Sequence, residues 1–196
     1  MADTLERLHE RLSALEDEIE AEWERRREAM AFRLDHNRVV FEAGVRDAHR
    51  RARVGLLRFL SYARPMVILT APVIYSLIVP FVLLDLFVTV YQAICFPIYR
   101  IAKVKRSDHI VVDRQHLAYL NALQKLNCVY CGYCNGLLSY VREIAGRTEQ
   151  FWCPIKHAHR VKGPHLRYRD FVEYTDAEGF QAQTMRLRRA LREMDE

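Results

Sequence analysis

Between Arg64 and Arg100 the only formally charged side chain is Asp85. Residues such as Val67, Leu69, Ile74, Leu77, Val82, Leu84, Phe87 and Val88 leave this segment without a polar face. Water is a poor solvent for it, and a chain of 196 residues has too little other apolar surface to bury it, so a lipid bilayer is the expected environment. A straight helix over residues 65–99 would reach about 50 Å, against a hydrocarbon layer of about 30 Å. Pro72 and Pro80 are natural breaks, and a split at Pro80 leaves arms of ~15 residues, each too short to cross. Arg58 and Arg64 precede the segment, while Arg100, Lys103, Lys105 and Arg106 follow it. Basic flanks on both sides satisfy the positive-inside rule when both ends face the cytoplasm. The sequence therefore predicts a re-entrant hairpin, with a single tilted and kinked span as the alternative. Asp85 is costly in hydrocarbon and should meet a partner, a backbone donor or water. Tyr75, Tyr91 and Tyr99 suit the membrane interface.

Outside this segment, only 7 Gly and 6 Pro among many Leu, Ala, Arg and Glu point to an all-α, helical membrane-attached protein. The net charge of +5 is arranged in blocks. Residues 1–24 hold nine acids against Arg7 and Arg11, and residues 25–64 hold eleven Arg against four acids. Arg beside an apolar segment attracts anionic lipid head groups at roughly 1 kcal/mol per charge. Leu5, Leu8, Leu12, Leu15 and Ile19 recur at helical spacing, which predicts an amphipathic helix; the run is shorter than the ~3 to 4 heptads of a coiled coil and suits packing against the chain's own later helices as well as an oligomeric or partner contact. Interleaved charges deny the N-terminus the apolar core of a cleaved export signal, so the five Cys are expected as thiols, metal ligands or redox groups. Residues 45–64 mix Arg with Leu, Val and Phe as a helix in the head-group layer would. The expected divisions are thus a charged helical region (1–64), the membrane segment (65–99), a Cys/His-containing helical module (100–180) and a C-terminal amphipathic helix (181–196) carrying Met185, Leu187, Leu191 and Met194. Within the module, Asp113 can cap a helix through Leu117 to Leu126, and Gly146 can end one that starts near Leu137.

The most informative short text is Cys128-Val-Tyr-Cys131-Gly-Tyr-Cys134, followed later by Cys153-Pro154-Ile-Lys-His157-Ala-His159. Closely spaced cysteines offer several thiolates from one short stretch, and a distant ligand can then close a tetrahedral site. The expected metal ligands are Cys128, Cys131, Cys134, Cys153 and His157. In ordering, C-x2-C-x2-C with a remote C-P resembles the bacterial ferredoxin pattern, a likeness that covers the four cysteines and Pro154 and implies a [4Fe-4S] cluster. Zinc held by four thiolates, or by three and an imidazole, accounts for the same residues. Either metal requires the chain to turn back near Gly146, or Cys153 to belong to another chain or another site. Were residues 136–152 one straight helix, Cys153 would lie about 25 Å from Cys134. The bland reading is that the three cysteines are small buried residues at helix spacing.

No Walker loop, dinucleotide glycine motif or H-E-x-x-H occurs. Cys153 and His157 lack an identifiable orienting group for nucleophilic catalysis. The basic stretch from His157 to Arg169 suits anionic lipid or an acidic partner better than nucleic acid. The sequence therefore favours a non-enzymatic accessory or scaffold protein at the membrane, in contact with lipid and with another membrane protein or a second copy of itself. The alternative is a redox protein serving a membrane oxidoreductase through a cluster or thiol exchange.

Overall fold

The computed structural model describes residues 2–28, 32–35, 38–41 and 43–194. The chain is mostly helical, as composition predicts, with seven α-helices among the described residues. They form two compact units.

The first unit comprises the described residues up to Val54 together with His116–Asn121. Helix α1 (Ala2–Glu28) carries the predicted stripe, and Leu8, Leu12, Leu15, Ile19 and Trp23 on it are all exposed. Strands β1 (Phe32–Asp35) and β2 (Arg38–Phe41) pair antiparallel, with Phe32 opposite Phe41 and Asp35 opposite Arg38. This hairpin is the exception to an all-helical chain. Helix α2 (Ala43–Arg51) follows, and His49 lies edge-on to both Phe41 and Tyr119, with ring centres 5.1 and 5.0 Å away. Asn121 is fully buried and donates to the Val54 carbonyl.

The second unit holds helices α3 (Leu56–Tyr62), α4 (Pro65–Ser76), α5 (Ile78–Tyr99), α6 (Ala122–Trp152) and α7 (Phe180–Arg192). Residues 45–64 are thus two helices, α2 and α3, rather than one continuous interfacial helix. Pro65 occupies the first turn of α4, where a missing N–H costs nothing. Pro80 cannot donate to Ser76, and the ladder is interrupted nearby, at Leu77. Leu77 nevertheless keeps right-handed helical angles (φ −63°, ψ −14°), and Phe81 donates to its carbonyl.

The direction of the chain therefore does not reverse at Pro80. Tyr130 on α6 donates to the Ile74 carbonyl (2.8 Å), Gln92 donates to Tyr140 (2.7 Å), and Tyr99 stacks on Phe151 (5.2 Å between rings). Because α6 is one helix, residues 74 and 99 stand about 30 Å apart along it. The re-entrant hairpin expected from Pro80 is corrected to one line of helix running parallel to α6. A proline in a first turn removes a bond without turning the chain.

Reversal comes instead at Arg100, in the left-handed conformation (φ 57°, ψ 45°), with its own N–H bonded to Phe96 and Pro97 and that of Ile101 to Phe96. Residues 101–112 then run back along α6 as a mostly extended strap, broken by a short 3-10 turn at Arg106–Asp108. Gln92 satisfies the strap backbone at Val104, accepting from its N–H (2.7 Å) and donating to its carbonyl. Phe96, Ile101, Val104, Leu137, Tyr140, Ile144 and Leu191 form the core around which α5, the strap, α6 and α7 meet.

Two glycines let this packing close. A Cβ at Gly136 would stand 2.6 Å from the His109 carbonyl oxygen, and one at Gly146 would stand 3.1 Å from the His165 ring. Gly146 is thus buried mid-helix under an imidazole and does not end α6. The helix predicted after Asp113 starts only at Ala122, as the first turn of α6, since a 3-10 turn at Arg114–His116 and irregular chain precede it. Residues 153–179 are largely irregular, apart from a short pairing of Ile155 with Val172 and a 3-10 turn at Leu166–Asp170.

Gly136→Ala is expected to destabilise the fold by about 1–3 kcal/mol, because the clash is with backbone and outweighs the ~1 kcal/mol gain in helix propensity. Chemical denaturation of the two proteins measures the difference.

Candidate functional site

Cys128, Cys131 and Cys134 lie on α6 and are half-buried, exposed and buried respectively. A three-residue step on a helix rotates each thiol by about 60°, so the three fan across about 120° of its surface. Cys153 follows the last residue of α6 and is exposed. It stands about 28 Å along the helix axis from Cys134. His157 lies further on, its ring stacked on Tyr168 and its backbone N–H donated to the Tyr168 hydroxyl at 2.6 Å. His159 is exposed.

The chain does not turn back near Gly146, so the condition for a shared intramolecular site is not met. Among the described residues no three His, Cys, Asp or Glu side chains are placed to hold one metal ion. The expected set of Cys128, Cys131, Cys134, Cys153 and His157, whether for zinc or for [4Fe-4S], is not brought together within one chain. Burial pushes the Cys134 thiol upward and outweighs its hydrogen bond with Tyr130, which favours the neutral thiol over the thiolate a metal requires.

Two polar clusters that the spacing of the sequence did not reveal are built instead. The first surrounds Asp85, whose side chain is only 15% exposed. Arg106 from the strap engages both carboxylate oxygens, with Nη2 at 2.6 Å from Oδ2. Tyr133 donates to Oδ2 at 2.8 Å and Thr89 to Oδ1 at 3.3 Å. Burial and the bond to Asp85 push the Tyr133 phenol up to about 12, so it stays a donor. The expectation that Asp85 needs a partner is met, with a basic residue lying 21 positions later in the chain.

The second cluster ties α6 to the strap, to the 3-10 turn at Leu166–Asp170 and to α7. Glu143 Oε1 accepts from Arg147 Nε (2.8 Å) and from Arg167 Nη2 (2.6 Å) and Nε (3.0 Å). Arg147 also donates to the Ala102 carbonyl (2.5 Å), and Arg167 to Gln150 (3.0 Å). Gln150 in turn donates to the Leu187 carbonyl on α7 (2.9 Å). Beside it, His165 Nε2 pairs with Glu149 at 2.9 Å. Burial disfavours the Glu143 carboxylate, but Arg167 and Arg147 together outweigh that and hold its pKa below the usual value.

The carboxylate at the centre of each cluster is already held by arginine, Asp85 by Arg106 and Glu143 by Arg147 and Arg167. Their arrangement fixes elements to one another, and i,i+4 spacing in the sequence offered only the Glu143–Arg147 pair as a hint.

Because the Glu143 pKa is lowered on folding, its contribution to stability is present above the unfolded value of ~4.3 and is lost as pH falls through the lower folded value. Glu143→Gln should therefore flatten the acid limb of a stability-against-pH curve. At neutral pH it should cost about 2 kcal/mol, less than the ~3–5 of a fully buried pair since these groups keep some solvent. In a thiol titration of the folded protein, Cys131 and Cys153 should react well ahead of Cys134, and denaturant should abolish the difference.

Compared with family models, with curated proteins and with solved structures, the chain gives no match to any.

Proposed function

We propose that the chain is a non-enzymatic, membrane-attached accessory or scaffold protein, in which α4 and α5 hold a folded helical module at a lipid surface. The observation that carries this reading is the exposure of α4 and α5. Among the described residues one segment, Pro65–Tyr99, is long and apolar enough to cross a membrane, and none of its most apolar window is buried. Leu69, Phe87 and Ile98 are each 70% exposed or more. Contiguous apolar patches above a few hundred Å² are uncommon on proteins that live in water. At ~25 cal/mol per Å² the cost of hydrating such a surface is large, and lipid removes it.

The chemistry of the module supports a holding role over a reactive one. The strongest polar groups, Asp85 and Glu143, are engaged by arginines and fix the strap, α5, α6 and the Leu166–Asp170 turn. In this reading those contacts supply the clamp that a cysteine-bound metal was expected to supply. Exposed Arg58, Arg64, Arg100, Lys103 and Lys105 suit anionic head groups. The open stripe on α1 suits a further protein contact, either a membrane protein or a second copy of this chain.

Flotation of the full-length protein with vesicles of phosphatidylcholine and phosphatidylglycerol tests the attachment. The protein is expected to rise with the lipid and to need detergent for extraction. A polypeptide that stays monodisperse in detergent-free buffer and remains at the bottom of the gradient overturns the reading.

A further inference from the structure

We infer that α4 and α5 enter a single leaflet of the bilayer and do not cross it. This rests on the membrane reading above and concerns the geometry of the contact.

Helix α5 has two unlike sides. Phe81, Asp85, Val88, Gln92 and Phe96 face the module, while Leu83, Phe87, Val90, Ile94 and Ile98 lie on the opposite half of the cylinder and are exposed. The side facing the module is lined by groups that cannot enter hydrocarbon. The strap pairs with α5 at Val104–Gln92 and at Arg106–Asp85. Its extended backbone has no ladder of its own, and Lys103, Lys105 and Asp108 along it, with Asp113 and Arg114 just after it, are exposed. In lipid each unsatisfied backbone group and each charge would be costly.

Polar neighbours reach further still. Tyr75 donates to Asn127, which lies two residues after Lys125 on α6. Water-requiring groups therefore flank the apolar line at Tyr75, Asp85 and Gln92. A crossing needs about 20 residues, and every stretch of that length within residues 65–99 contains Tyr75 or Asp85, so no placement of a crossing helix keeps them all out. No stretch of residues 65–99 free of such neighbours is longer than nine residues, about 14 Å, less than half of what a crossing needs. Residues 65–70, 72–74 and 76 are exposed, as a segment wrapped by acyl chains would be.

The depth that remains open is that of one leaflet. Helix α4 dips in, the outer half of α5 lies along the acyl boundary, and the strap and α6 stay at the water side. Arg58 and Arg64 at one end and Arg100, Lys103 and Lys105 at the other are then within reach of the same layer of anionic head groups.

The full-length protein, tagged at both termini and bound from outside to sealed phosphatidylcholine and phosphatidylglycerol vesicles, gives the test. Both tags should be digested by added protease in intact vesicles. An N-terminal and a C-terminal tag on opposite faces overturns the single-leaflet geometry while leaving membrane attachment intact, whereas protein that never floats removes the attachment itself. As a second measurement, Phe87→Glu and Ile94→Glu lie on the exposed side and should each lower the vesicle partition constant at least about tenfold with helix content unchanged, the factor expected for taking one large apolar side chain out of lipid. Unchanged partitioning of both variants overturns the inference.

Discussion

The strap of residues 101–112 is the constraint on which the second unit depends, because it is mostly extended backbone laid between helices and must find partners for its polar groups. Gln92 provides both bonds at Val104, and Arg147 caps the Ala102 carbonyl. Gly136 gives the strap room to lie against α6. Once the strap is seated, Ile101 and Val104 complete the core with Phe96, Leu137 and Tyr140. An uncovered amide in such a place would cost roughly 1–3 kcal/mol, comparable with a good part of the net stability of a domain. A glutamine within an otherwise greasy helix is thus a structural necessity.

The same logic governs Asp85. A carboxylate on α5 would oppose burial if it faced acyl chains, yet it turns toward Arg106, Tyr133 and Thr89. Asp85 and Gln92 are seven residues apart, two helical turns, so both fall on the side that meets the module. Those two polar residues mark in advance which half of the helix is covered by protein. The remaining half has no polar group to mark it and is exposed.

Much of this was legible in the chain, and what was not has identifiable causes. The apolar stretch, the stripe on α1, the apolar positions Leu187 and Leu191 of α7 and the need of Asp85 for a partner follow from residue type and period. The hairpin at Pro80 failed because a proline in the first turn of α5 forfeits one bond without reversing direction. Gly146 suits a helix end by residue type, but its missing side chain serves the His165 ring from a segment nearly twenty residues away, which local spacing cannot disclose. The cysteine cluster shares that fault: C-x2-C-x2-C suits a tight turn holding a metal, and the same spacing on an uninterrupted helix sends the thiols in diverging directions. The strand pair has a signal in Phe-Arg-Leu-Asp-His-Asn-Arg-Val-Val-Phe, two β-compatible runs around a short polar pair of residues.

The parallel course of α5 and α6 also has a consequence for biosynthesis. The residue that receives the Gln92 amide, Tyr140, is translated 48 positions later. At ~5–20 residues per second, that interval is about 2–10 s. Throughout it the nascent helix displays both of its sides, including the half that the mature protein covers. Whatever first engages the emerging polypeptide, whether a holdase or a targeting factor, meets a rod that is apolar save for Asp85, Thr89 and Gln92, and the side that carries them is covered only when the later helix arrives.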